Sequence, residues 1–288
     1  MYNTTTCIPH PSACRGPDYS PGVRVHLVQV GYGDGEPVAE RVERVAALVR
    51  EQRGADLVVL PELWPAGGFA HRAWKPAAEP VDGPTVATLA AAARAVGAVV
   101  HAGSIVEHDP PGPQGRGLWN TSVVLGPDGQ VLATYRKVHR FGFGAGEPEL
   151  LEAGAAVVTV PLPLPSGEAP VAGLSTCYDL RFPELYRRLL DAGATLFVVP
   201  AAWPAARVEH WRLLGRARAL ENQCWLLACN TAGTHARTPM GGHSQVVSPS
   251  GAVLAEAGDG DEVLVADVDL AEVERYRAEF PVLADRRL

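Results

Sequence analysis

Short runs of β-branched and apolar residues alternate with amphipathic helical stretches from Val23 to Phe280, with no linker-like break between them. No other feature constrains the fold as strongly, because strands separated by helices pack as sheets with helices on their faces. Val23 to Val30 reads as the first strand. Pro37 opens a helix that sets Val38, Val42, Val45 and Val49 on one face, and Gly54 follows as its cap. Asp56 to Leu60 is a short apolar run stopped by Pro61, the pattern of a buried strand. Gly83-Pro84 starts a second helix that ends near Gly97. Ala98 to Val106 and Leu118 to Leu125 are the next strands, joined by a loop rich in proline and glycine from Asp109 to Gly117.

Gly126-Pro127-Asp128-Gly129 signals a turn, and Gln130 to Val138 continues as a strand. Pro170 to Thr176 forms a strand leading to Cys177. Pro183 then begins a helix that closes at Gly193. Thr195 to Val199 is a strand, Arg207 to Asn222 a helix, and Cys224 to Cys229 a strand. Two short strands flank Ser248-Pro249-Ser250-Gly251, and a last helix runs from about Leu270 to Phe280. The expectation is one α/β domain over residues 23–288, preceded by a flexible N-terminal extension at 1–22.

A chain that is 47% hydrophobic and 20% charged falls in the usual range of a soluble globular protein. Its net charge of −7 and the lack of a Lys/Arg run argue against a nucleic-acid partner. No stretch approaches the roughly 18 consecutive apolar residues that cross a bilayer, and residues 1–22 lack an apolar signal-peptide core. The five cysteines are odd in number and form neither a CxxC pair nor a compact Cys/His cluster. Reduced thiols in a cytoplasmic protein that binds no metal are the economical reading. Without a secretion signal, the sequons Asn3-Thr4-Thr5 and Asn120-Thr121-Ser122 carry little weight.

Three segments carry the chemistry, each placing a reactive side chain at or just beyond the end of an apolar strand. Leu60-Pro61-Glu62-Leu63-Trp64 supplies a carboxylate that, alone, reads more readily as a surface Glu. Tyr135-Arg136-Lys137-Val138-His139 supplies a lysine that would ordinarily snorkel to water, beside a histidine more often structural than catalytic. Gly173-Leu174-Ser175-Thr176-Cys177-Tyr178-Asp179-Leu180-Arg181-Phe182-Pro183-Glu184-Leu185 supplies a thiol at a strand-to-helix corner. A cysteine there is commonly a small buried hydrophobe. Taken together the three make a device for acyl transfer. Glu62 can take the thiol proton of Cys177, and Lys137 can stabilise the oxyanion that follows.

In this order, the three segments resemble those of the nitrilase superfamily of carbon–nitrogen hydrolases. Cys-Tyr-Asp-Leu-Arg-Phe-Pro-Glu-Leu is the most specific of them, and the likeness runs from Val23 to the Ala284-Asp285-Arg286-Arg287 tail. The resemblance implies a four-layer α-β-β-α sandwich, a homodimer joined through its helical face, and a Glu-Lys-Cys triad of Glu62, Lys137 and Cys177. It also implies a second glutamate shortly after the lysine. Glu147, Glu149 and Glu152 compete for that place, and Glu147 is preferred because Leu151 and Gly154 follow it at the family's spacing. The implied reaction requires no metal or organic cofactor.

Tyr178-Asp179 after the nucleophile differs from the Trp-Glu of nitrilases and from the Asn-Asp-Arg-Arg of carbamoyl-amino-acid hydrolases. It is most similar to the omega-amidase and deaminated-glutathione amidase branch, so the expected substrate is a small-molecule amide of a carboxylic acid. Nitrile or N-carbamoyl hydrolysis is the alternative on this scaffold. An acyltransferase or a silent binding protein is the alternative of another class. Trp64, Phe69, Tyr178 and Trp203 are candidates to line the pocket, with core packing as the bland alternative. Phe141-Gly142-Phe143-Gly144 reads as a flap or a plain glycine-rich loop. Arg181, four residues past the nucleophile, is a candidate to hold a substrate carboxylate, or else to pair with Glu184.

Overall fold

The computed structural model describes residues 22–287, and the expected extension at 1–22 lies outside the described residues except for Gly22. Two six-stranded sheets face one another. In the first, strands run in the order 262–268, 23–29, 57–59, 99–108, 118–125 and 131–136. In the second, the order is 253–256, 245–247, 225–229, 196–200, 171–174 and 159–161. Each sheet has three parallel strands at its centre and antiparallel strands outside them.

Period-two geometry explains the layers. In Leu57–Val59, Leu57 and Val59 enter the core between the sheets, while Val58 faces the cluster shared with helices Val38–Glu51 and Pro84–Val96. In Leu196–Pro200 the same split sends Leu196 and Val198 between the sheets. Phe197 and Val199 go to helices Pro183–Asp191 and Val208–Asn222. Strands buried on both faces must be apolar throughout, which is why they appear as continuous runs. The result is the four-layer α-β-β-α sandwich.

Three local expectations are corrected. Val42, Val45 and Val49 are buried in the first helix, but Val38 in its first turn is 37% exposed. That helix ends at Glu51 with Gln52 as its cap, so Gly54 belongs to the following turn. Strand Glu262–Val268, absent from the sequence reading, pairs antiparallel with Val23–Gln29 and closes the first sheet at its edge. A small third sheet joins Gly31–Gly33 to Ala232–His235.

Candidate active site

The carboxyl ends of the central parallel strands of both sheets open on the same cleft, as expected for an α/β architecture. Leu60 N–H still bonds His101 O at 2.9 Å, but Pro61 has no N–H and ends the ladder. Glu62 N–H then reaches Ala201 O at 3.3 Å, so this segment spans the two sheets. The crossing depends on Gly103, at φ +70°, where a Cβ would lie 1.9 Å from Pro61 O.

Cys177 follows strand Val171–Leu174 and opens the short 3-10 turn Cys177–Arg181 at φ +47°, a costly conformation for a residue with a side chain. Asp179 holds that corner. Its carboxylate accepts from Thr176 N–H at 2.9 Å, Tyr135 O–H at 2.7 Å and His139 N–H at 2.9 Å. His139 also meets Asp179 through Nδ1 and stacks on Phe182 at 3.7 Å, which gives it the structural role expected of it.

Lys137 extends just past strand Val131–Arg136, and its N–H bonds Asn120 O at 2.9 Å on the neighbouring strand. Glu147 begins the short helix Glu147–Leu150. Its carboxylate folds back to accept the N–H of Phe141.

These pieces converge with each reactive group almost fully buried. Lys137 Nζ lies 2.6 Å from Glu62 Oε1 and 2.8 Å from Glu147 Oε2. Asn120 Nδ2 donates to the same two carboxylates, at 2.8 Å to Glu62 and 2.7 Å to Glu147. Glu62 Oε2 accepts Ala202 N–H at 2.9 Å, and Cys177 lines the same cleft as Glu62 and Lys137.

Burial and the nearby Glu62 charge push the Cys177 thiol well above its ordinary range, against the opposing pull of Lys137. The resting thiol is therefore protonated and needs a base beside it. Burial would neutralise Lys137, but Glu147 and Glu62 outweigh it and hold the ammonium charged. Burial raises the Glu147 carboxyl, with Lys137 opposing. The arrangement can deprotonate a thiol and place a fixed cation beside a developing oxyanion.

A cleft of about 440 Å³, including its open mouth, gives access to this cluster. Phe69, Tyr178 and Trp203 line it, together with Glu62, Lys137, Glu147 and Cys177. Trp64 is corrected. It is fully buried under the first helical layer, donates Nε1–H to Ala102 O at 3.0 Å, and does not reach the cleft. Its reversal follows from Leu63, at φ +44°, which turns the chain so that Glu62 and Trp64 diverge.

Arg181 lines the cleft with its guanidinium 4.7 Å from the centre of the Trp203 ring. It meets His210 Nδ1 at 3.2 Å, the partner found for it in place of Glu184. Glu149 is exposed, and Glu152 accepts the loop N–H groups of Gly112, Gln114, Arg116 and Gly117, so neither enters the site. Asn120, Arg207 and Phe141 belong to the site or its cleft but escaped the sequence reading as site residues. Among the described residues, no group of three or more His, Cys, Asp or Glu is arranged to hold a metal ion.

The sequence from residue 24 to 278 matches the carbon-nitrogen hydrolase family model. The chain belongs to that family. This hydrolase is 44% identical over 263 residues to 2-oxoglutaramate amidase of Paenarthrobacter nicotinovorans, covering 91% of this chain and 89% of that protein. It is 33% identical to omega-amidase NIT2 of Xenopus tropicalis, over 86% of this chain and 90% of that one. Its fold is similar to the crystal structure of Saccharomyces cerevisiae Nit3, a member of branch 10 of the nitrilase superfamily. The TM-score is 0.80 at 31% identity, with 93% of this chain and 98% of that one covered. The hydrolase is an enzyme of the amidase type within the nitrilase superfamily.

Proposed function

We propose that this hydrolase cleaves the terminal amide of a small dicarboxylic monoamide through a thioester on Cys177, with a 2-oxo acid amide such as 2-oxoglutaramate as its preferred substrate. The observation that carries this reading is the buried meeting of Lys137 Nζ with Glu62 and Glu147 at a cleft lined also by Cys177 and Arg181. The name of the Paenarthrobacter relative supports the substrate class.

In this reaction Glu62 takes the Sγ proton as sulfur attacks the amide carbonyl. Lys137 stabilises the oxyanion of the tetrahedral intermediate. Protonated Glu62 then gives its proton to the departing nitrogen, the C–N bond breaks, and ammonia leaves a thioester behind. Water next loses a proton to Glu62 and attacks the thioester carbonyl. The C–S bond breaks, the acid departs, and sulfur recovers its proton from Glu62. Glu147 holds Lys137 in place and charged throughout, and Arg181 grips the distal carboxylate through charge-assisted hydrogen bonds.

Two further properties belong to this reading. No described helix is long and apolar enough to cross a membrane, and a cytoplasmic location fits the reduced Cys177, Cys224 and Cys229. A homodimer joined through the helical face fits helix Val208–Asn222, which exposes Leu213 and Leu220.

Ammonia release from a panel of amides, nitriles and N-carbamoyl compounds tests the substrate class. The 2-oxo dicarboxylic monoamide should show the highest kcat/KM, with nitriles and carbamoyl compounds far behind. A preference for either of the latter would overturn the proposal.

A further inference from the structure

Asn120 stands at the middle of the acid–base cluster. Its side chain is 2% exposed, and one Nδ2 group donates to Glu62 Oε1 and to Glu147 Oε1. The amide orientation is fixed by chemistry, because the flipped group would aim Oδ1 at two carboxylates. The backbone oxygen of the same residue accepts Lys137 N–H at 2.9 Å. Asn120 therefore touches the root of the lysine and the tips of both glutamates.

The surrounding tripeptide has a related purpose. Thr121 donates to Glu107, and the Ser122 hydroxyl meets the Thr176 hydroxyl at 3.0 Å, immediately before the nucleophile. All three residues are buried in strand Leu118–Leu125, so the Asn-Thr-Ser pattern is an internal anchor rather than a glycan acceptor.

We propose that Asn120 is a positioning residue that holds the Glu62 carboxylate at Oε1, so that Oε2 serves as the base for Cys177. Two carboxylates share one ammonium here, so the cluster carries one surplus negative charge in a dry setting. Carboxylates crowded in this way tend to keep a proton between them, and a protonated Glu62 is no base. A second cation would remove the surplus but would also weaken the base. A neutral amide that donates once to each carboxylate favours both anions without adding charge. Because it occupies Oε1 of Glu62 with Lys137, it leaves Oε2, which accepts Ala202 N–H, as the oxygen free for proton transfer.

This inference rests on Glu62 and Cys177 being base and nucleophile. Its test is chosen to separate the two ideas. The full chain is alkylated with iodoacetamide across pH, and modification of the Cys177 peptide is followed by mass spectrometry, so no substrate is assumed. In Asn120→Ala, Glu62 loses a donor that favours its carboxylate, and the acid limb of Cys177 reactivity should move up by about one to two pH units. The near-isosteric Asn120→Asp, which adds a third carboxyl, should move it further, and it serves alone if Asn120→Ala does not fold. The acid limb of kcat/KM should move with it, and kcat should fall about tenfold or more with little change in KM.

Glu62→Gln should abolish the limb in the same assay. If it does while the folded Asn120 variants keep the wild-type limb, the positioning role is overturned and the catalytic reading stands. If Glu62→Gln also leaves alkylation unchanged, the base assignment fails and the role of Asn120 falls with it.

Discussion

Lys137 Nζ and Glu62 Oε1 lie 2.6 Å apart although 75 positions separate the two residues in sequence. Both side chains are almost completely buried, and Glu147 completes the contact from the other side. Removing the cation from such a group leaves two carboxylates without their charge partner. Lys137→Met should therefore abolish activity and cost about 3–5 kcal/mol of stability near neutral pH. The deficit should shrink as pH falls, because protonation relieves the two carboxylates. Urea unfolding of both proteins at two pH values checks it, and an equal deficit at each would contradict the pairing.

The two acidic candidates separated by one proline should behave differently. Glu147→Gln removes a charge partner of Lys137 and should lower kcat by about a hundredfold or more, the scale of a lost positioned charge. Glu149 is exposed and outside the cleft, so Glu149→Gln should retain wild-type kinetics. Steady-state ammonia release from both variants decides the register.

Glu62, Lys137 and Cys177 each read alone as ordinary strand-end residues, and only the resemblance of the three segments, in order, to the nitrilase superfamily singles them out. Glu147 is preferred over Glu149 because the resemblance places a Leu and a Gly at the offsets of Leu151 and Gly154. Asn120 was passed over because its sequence context is that of an ordinary strand residue, and its role exists only through Glu62, Lys137 and Glu147. Trp64 misled for the opposite reason. Its neighbour Glu62 enters the buried cluster with Lys137, but the positive φ of Leu63 sends the indole into the core. Strand Glu262–Val268 left a signal in the inward alternation of Leu264, Ala266 and Val268, obscured by apolar Val263 and Val265 between them.

Arg181 tests the acidic end of the substrate. Arg181→Met should raise KM for a dicarboxylic monoamide by about tenfold or more, the loss expected for a charge-assisted contact of roughly 1.5–3 kcal/mol. A neutral amide of equal length should be little affected. Equal losses on both would assign the arginine to holding Trp203 and His210 in place.

Two buried histidines set an acid boundary on stability. Burial lowers the pKa of His101 to about 4 and that of His235 to about 3. Both stay neutral in the folded protein while their unfolded counterparts gain a proton below about 6.5. The unfolded state therefore binds more protons in this window, and stability present above pH 6.5 is lost as pH falls toward 4. Each histidine contributes a slope of about 1.4 kcal/mol per pH unit. Denaturation midpoints measured from pH 7.5 to 4.5 should fall along this slope, and His101→Gln should reduce it by about one proton. A flat profile would contradict neutral burial.

The thioester is the most direct measurement. Rapid acid quenching during turnover of a slow dicarboxylic monoamide, followed by intact-mass and peptide analysis, should show the substrate acyl group attached to Cys177. Cys177→Ala should show neither adduct nor ammonia release. Undiminished ammonia release from Cys177→Ala, with no acyl adduct on the native enzyme, would contradict covalent catalysis at this residue.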